Sequence, residues 1–217
     1  MTGLTAAGFA ERLKSLRSPG GDLPMRAIFG LAKEYAQTPP AEIEKLLDSD
    51  RHEERVGAVS IMGHQANRKQ TNPDRLRELF ELYLRRTDRI DTWDLVDVSA
   101  HHVVGRYLLD RPRDVLVTLA RSALPQERRI AIFCTLHFLR KGQVEDTFAL
   151  AEILADDAHE MLASTTGGML REAGKTDRAR LLAFLDRNAA TAPRVLLRAA
   201  IEHLEPELRR HYLALKH

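Results

Sequence analysis

Trp93 and Asp97 are the two side chains best suited to chemistry, and both lie in the stretch Asp91-Thr-Trp-Asp-Leu-Val-Asp97. Trp93 is the only tryptophan of the chain. The two are four positions apart, so on a helix they stack on the same side. An indole face attracts a cation and a fixed carboxylate stabilises one, which suits a reaction that develops positive charge. The plain alternative is an aromatic packed at a helix end beside a solvated acid. The element that must position them follows from the apolar stripe Val96, Ala100, Val103, Val104, Tyr107 and Leu108. At about 100° per residue it predicts one helix, with Trp93 near an edge of the stripe and Asp97 just beyond it.

The chain has 217 residues, 44% hydrophobic and 29% charged, the balance of a folded globular protein. No apolar run approaches the roughly 18 residues of a membrane span. No basic segment followed by an apolar one opens the chain, so a cytoplasmic location and no membrane partner are expected. Cys134 has no partner cysteine and lies within Ile130–Leu136, where a small core residue is expected rather than a reactive thiol. Net charge is only +2, yet 26 of the 33 basic residues are arginine. Arginine is the better fork for phosphate oxygens. A GC-rich genome gives the same bias, and only clustering on one surface separates the two.

Helix follows helix along the chain. The periodicity predicts helices over residues 4–17, 24–37, 40–47, 51–69 and 73–87, then the Trp93 helix, which Asp110-Arg-Pro112 closes. More follow over 114–122, 125–141, 144–155, 159–173, 177–188, 193–204 and 206–215. A breaker is expected at residues 18–22, and Pro24 is placed at the first helical position. The fold class is all-α.

Helices of similar length come in pairs, and Arg55-Val-Gly-Ala58, Arg129-Ile-Ala-Ile132 and Arg198-Ala-Ala-Ile201 carry related text. They are spaced by roughly 70 residues, two units of roughly 35, near the short end of HEAT repeats. Stacked pairs form a solenoid with the second helices on the concave side, where such arginines would line a groove. Alternatively each pairs with an acid of its own helix, as Glu53, Glu127 and Glu202 allow. Gly167-Gly168 interrupts a helix at a cost of about 1 kcal/mol, so a close approach is expected there, by a neighbouring helix or by a nucleic-acid backbone. His101 and His102 should diverge by about 100° and cannot grip one metal ion together. No zincin, nucleophile-elbow, phosphate-loop or dinucleotide motif is present, and neither cofactor nor metal is expected.

Five segments together resemble the bacterial DNA alkylation repair glycosylases of the AlkD type. They are Phe29-Gly-Leu-Ala-Lys-Glu34, His52-Glu-Glu-Arg55, Trp93-Asp-Leu-Val-Asp97, Glu127-Arg-Arg-Ile-Ala-Ile132 and Gly168-Met-Leu-Arg-Glu-Ala-Gly-Lys175. The resemblance runs in order through nearly all of the chain. It implies a right-handed α-solenoid of HEAT-like helix pairs with a concave basic groove, over residues 1–217 as one domain. Residues 1–38 or so would cap the array. It also implies a monomer that holds double-stranded DNA and hydrolyses the N-glycosidic bond of cationic N3- or N7-alkylated purines. Asp97 then matches the catalytic carboxylate, Trp93 the aromatic on the sugar, and Arg129 the arginine on the nearby phosphate. Arg128, Arg171 and Arg55 are the further DNA-binding candidates.

The chain also departs from that family. A second cleft tryptophan is expected on the helix that here reads Gly167-Gly-Met-Leu170, and Pro125-Gln126 stands where relatives often have an aromatic. Half of the aromatic clamp is therefore missing. Three readings stay open: a glycosylase, a catalytically weak relative that binds bent or branched DNA, and a HEAT scaffold that holds a protein segment.

Overall fold

The computed structural model describes residues 3–18 and 20–215. All regular structure among them is helical, with no strand. Pro19, inside the expected breaker, lies outside the described residues. Gly21 follows with φ of 87°, a left-handed turn conformation that glycine adopts without strain. The chain divides into two compact units, Met1–Asp110 and Arg111–His217.

The first unit holds α1 (Ala6–Ser15), α2 (Met25–Glu34), α3 (Pro40–Leu47), α4 (His52–Asn67), α5 (Pro73–Arg85), α6 (Trp93–Ala100), a π-helical turn His101–Gly105, and α7 (Arg106–Leu108). Thr5 sets the start of α1 by accepting the Gly8 amide at 3.1 Å. Pro24 is the N-cap of α2, at φ −68° and ψ 141°, one position earlier than expected. Its extended ψ keeps it just outside the helix. Pro40 and Pro73 do occupy first-turn positions, where a missing N–H costs nothing.

At the centre of this unit, α4 packs on α2, α3, α6 and the π turn. Val56 through Gly63 is buried without interruption, the mark of an enclosed helix. A Cβ at Gly57 would lie 2.3 Å from Phe9 Cζ, so the glycine lets the Phe9 ring press onto α4. Burying that ring contributes about 1.5–3 kcal/mol.

The second unit holds α8 (Asp114–Ala120), α9 (Pro125–Phe133), α10 (Leu136–Leu139), α11 (Glu145–Ile153), α12 (Glu160–Gly174), α13 (Arg178–Asn188), α14 (Arg194–Ala200) and α15 (Pro206–Ala214). The helix expected over 125–141 is broken. Cys134 Sγ donates to the Ala131 carbonyl at 3.3 Å, and Thr135 Oγ1 donates to Ile132 at 2.7 Å. Side chains that bond back to the preceding turn bend a helix. Burial pushes the Cys134 thiol well above its ordinary pKa, in keeping with a small core residue. Here α12 is central, with α9, α11, α13 and α14 packed on it. Leu170, Leu181, Phe184, Leu185, Leu196 and Leu197 form the heart of that core.

Candidate functional site

Both ends of α6 are held by polar contacts. At its start Thr92 Oγ1 donates to Asp94 Oδ1 at 2.6 Å, while His52 Nε2 lies 2.7 Å from Asp94 Oδ2. Partial burial raises the Asp94 pKa, but the Thr92 and His52 contacts outweigh it and leave this carboxyl below the ordinary value. Farther along, Ser99 Oγ donates to the Leu95 carbonyl at 2.6 Å and meets the Tyr83 hydroxyl at 2.9 Å. Leu95, Val96, Ser99 and Ala100 face inward. Trp93 and Asp97 are left half-buried, at the border the apolar stripe implied.

Asp97 lines a cleft of 460 Å³. Phe29 of α2 and Ser60, Gly63, His64 and Asn67 of α4 form one part of its wall. Val98, His101 and His102 form another. The four α4 positions follow the i, i+3, i+4, i+7 spacing of a single helix face. Trp93 lies a turn back along α6 and is outside this lining.

The expected unbroken helix from Trp93 to Leu108 is interrupted by the π turn, which carries both histidines. Their rings do not diverge as an ideal α-helix requires. The centroids are 3.7 Å apart, with planes tilted by 41°. A π turn alters the side-chain register, and such turns occur often at functional sites. Asn67 Nδ2 lies 2.6 Å from His102 Nδ1, joining α4 to the turn. A carboxylate and three imidazoles at one cleft can stabilise a cation and move protons. Among the described residues, no group of three or more His, Cys, Asp or Glu could hold a metal ion.

The candidate arginines are tied into the fold. Arg55 donates to the Ser49 carbonyl and to Asp91 Oδ1, both at 3.3 Å, so it braces the stretch that leads into α6. In the second unit Arg128 Nε donates to Asp157 at 2.7 Å, and its Nη1 holds the carbonyls of Ser122 and Ala123. Arg129 is only 5% exposed. Its Nη1 donates to the Met161 carbonyl at 3.2 Å and to Thr165 Oγ1. Arg171 pairs with Glu202, in the turn that follows α14. Glu53 pairs with Arg17 at 2.6 Å.

His64 and Asn67 were not singled out in the sequence, Phe29 only opened a segment of the family resemblance, and His102 was considered only as a metal ligand. Only the polar i, i+3, i+4, i+7 face of α4 hinted at the first two. The close approach expected at Gly167 is made by a helix: its Cβ would sit 2.3 Å from the Leu196 carbonyl oxygen of α14. At Gly168 a Cβ would meet nothing within 4 Å.

An all-helical protein with a carboxylate-bearing cleft is the class these features define. Comparison with known protein families matches residues 23–204 to the family described as DNA alkylation repair enzyme. That span is most of the chain, and the protein belongs to this family. Its role is therefore in DNA repair. No curated protein matches the chain. No described helix is long and apolar enough to cross a membrane.

Proposed function

We propose that this protein binds double-stranded DNA and hydrolyses the N-glycosidic bond of purines made cationic by N3 or N7 alkylation. The observation that carries this is Asp97 at the cleft of a DNA alkylation repair family member. An alkylated purine already bears positive charge. The bond from C1′ to the base nitrogen breaks with its electron pair leaving on the base, which departs neutral. The sugar becomes oxocarbenium-like, water adds to C1′, and one water proton is released. Asp97 stabilises the cation as it forms and orients the water. Trp93 offers its indole face to the same charge, an attraction of about 0.5–2 kcal/mol.

Arg129 is the proposed phosphate contact in the second unit, with Arg128, Arg171 and Arg55 as further DNA-binding candidates. A phosphate oxygen would take from Arg129 the donor it now gives to Thr165. A HEAT-like repeat array acting as a monomer without cofactor or metal completes the proposal.

Asp97→Asn is the direct test. Base release from methylated duplex is expected to fall on the order of 10²–10³-fold, with duplex affinity retained. Release at the parent rate removes Asp97 from the mechanism. One observation favours the second reading, a DNA-binding relative that has lost most activity. Gly168 leaves open space where the family resemblance leads one to expect a cleft aromatic. In that case the parent chain binds duplex and releases no base.

A further inference from the structure

The α4–α5 connection folds around a polar cavity of 250 Å³, and two arginines, Arg68 and Arg75, contribute to its wall. Gln37, Gln65, Gln70 and Thr71 complete the part that matters here, and no acidic residue is among its described lining. Gln65 is fixed: its Nε2 donates to the Thr38 carbonyl at 2.7 Å, and its own carbonyl accepts from Thr71 Oγ1. Turning the Gln37 amide so that its oxygen faces Arg68 lets it accept from that guanidinium.

Arg75 is the anomaly. It stands in the first turn of α5, where aligned peptide dipoles present positive charge and disfavour a cation. Its Nη1 is buried with no hydrogen-bond acceptor. Glu78 approaches to 3.3 Å, in an ion pair without hydrogen-bond alignment. A buried donor left over beside a roomy polar cavity calls for an acceptor from outside the chain.

We propose that this cavity binds a phosphoryl oxyanion, with Arg75 Nη1 and the Arg68 guanidinium as its donors. The cavity is linked to the Asp97 cleft through residues that line a cavity between them. A second cavity of 420 Å³ shares Gln37 and Arg68 with it and adds Lys33 and the carboxylate Glu34. That second cavity shares His64 with the cleft. Arg68 is the residue just past the end of α4, four positions beyond His64. A strand whose sugar lies at Asp97 could therefore send its backbone along this face of α4. The assignment of the anion to DNA rests on the proposed function. Free inorganic phosphate offers the same oxygens.

The test uses the full chain and the double variant Arg68→Gln/Arg75→Gln, with Arg68→Lys/Arg75→Lys to separate charge from the fork. Melting without added anion establishes that each variant is folded. In one arm inorganic phosphate is added and the melting temperature followed. In the other, duplex affinity is measured against salt. A phosphodiester occupant makes the slope of log affinity on log salt shallower by about one unit in the glutamine variant. A free phosphate occupant appears as a melting shift lost in that variant while the slope stays put. No difference from the parent in either arm overturns the site. A parent chain that ignores duplex altogether removes the DNA reading alone, because the phosphate arm still decides the cavity.

Discussion

Arg129 shows what buried arginine does in this protein. Its fork reaches across from α9 to a carbonyl and a hydroxyl of α12. Much of the arginine excess is spent in the same way. Arg89 donates to the carbonyls of Leu47, Asp48 and Ser49 at 2.8–3.0 Å, covering the otherwise unsatisfied end of α3. Arg113 lies 3.8 Å over the Phe138 ring and pairs with Asp146. Arginine abundance is thus partly a structural device, and the codon-bias alternative is not needed for these positions. Arg129→Ala is expected to lower the unfolding free energy by about 3 kcal/mol, through loss of charge-assisted bonds and a stranded carbonyl. Urea denaturation measures it. A loss below about 1 kcal/mol would mean that the guanidinium is not structural.

At the scale of elements, two neighbouring glycines of α12 should behave oppositely. Gly167→Ala drives a methyl into the backbone of α14, 2.3 Å from a carbonyl oxygen that cannot swing away. It is expected to destabilise by about 1–3 kcal/mol or more. Gly168→Ala meets open space and gains helix propensity, so it should stabilise by up to about 1 kcal/mol. Thermal melts of the two variants decide this, and equal shifts would show that the α12–α14 crossing is looser than described. The π turn matters at the same scale. It brings His101 and His102 together at the cleft, and no residue pattern in an apolar helix of ordinary period announces it.

For the molecule as a whole, a net charge of +2 gives little long-range attraction for a polyanion. On the proposed function, duplex affinity comes from local groups such as Arg68, Arg75 and Lys33 and from the phosphate contacts proposed above. Such contacts make log affinity fall with log salt by about 0.9 per phosphate neutralised. The expected result is a steep fall across several phosphates, read by titration of labelled duplex at stepped salt. Binding indifferent to salt would favour the reading in which the chain holds a protein segment.

The chain's text was enough to establish an all-helical fold, most helix positions, and the border placement of Trp93 and Asp97. Helical periodicity and proline chemistry act within a few residues, so they can be read in order along the chain. Which side chains meet across helices depends on packing between distant segments, and only the tertiary structure decided it. His52 meets Asp94 across 42 positions and Asn67 meets His102 across 35, so no local pattern could have joined them. The same reason separates the arginines that brace the fold from those that line its cavities. Identical side chains differ only in what the packed helices place beside them.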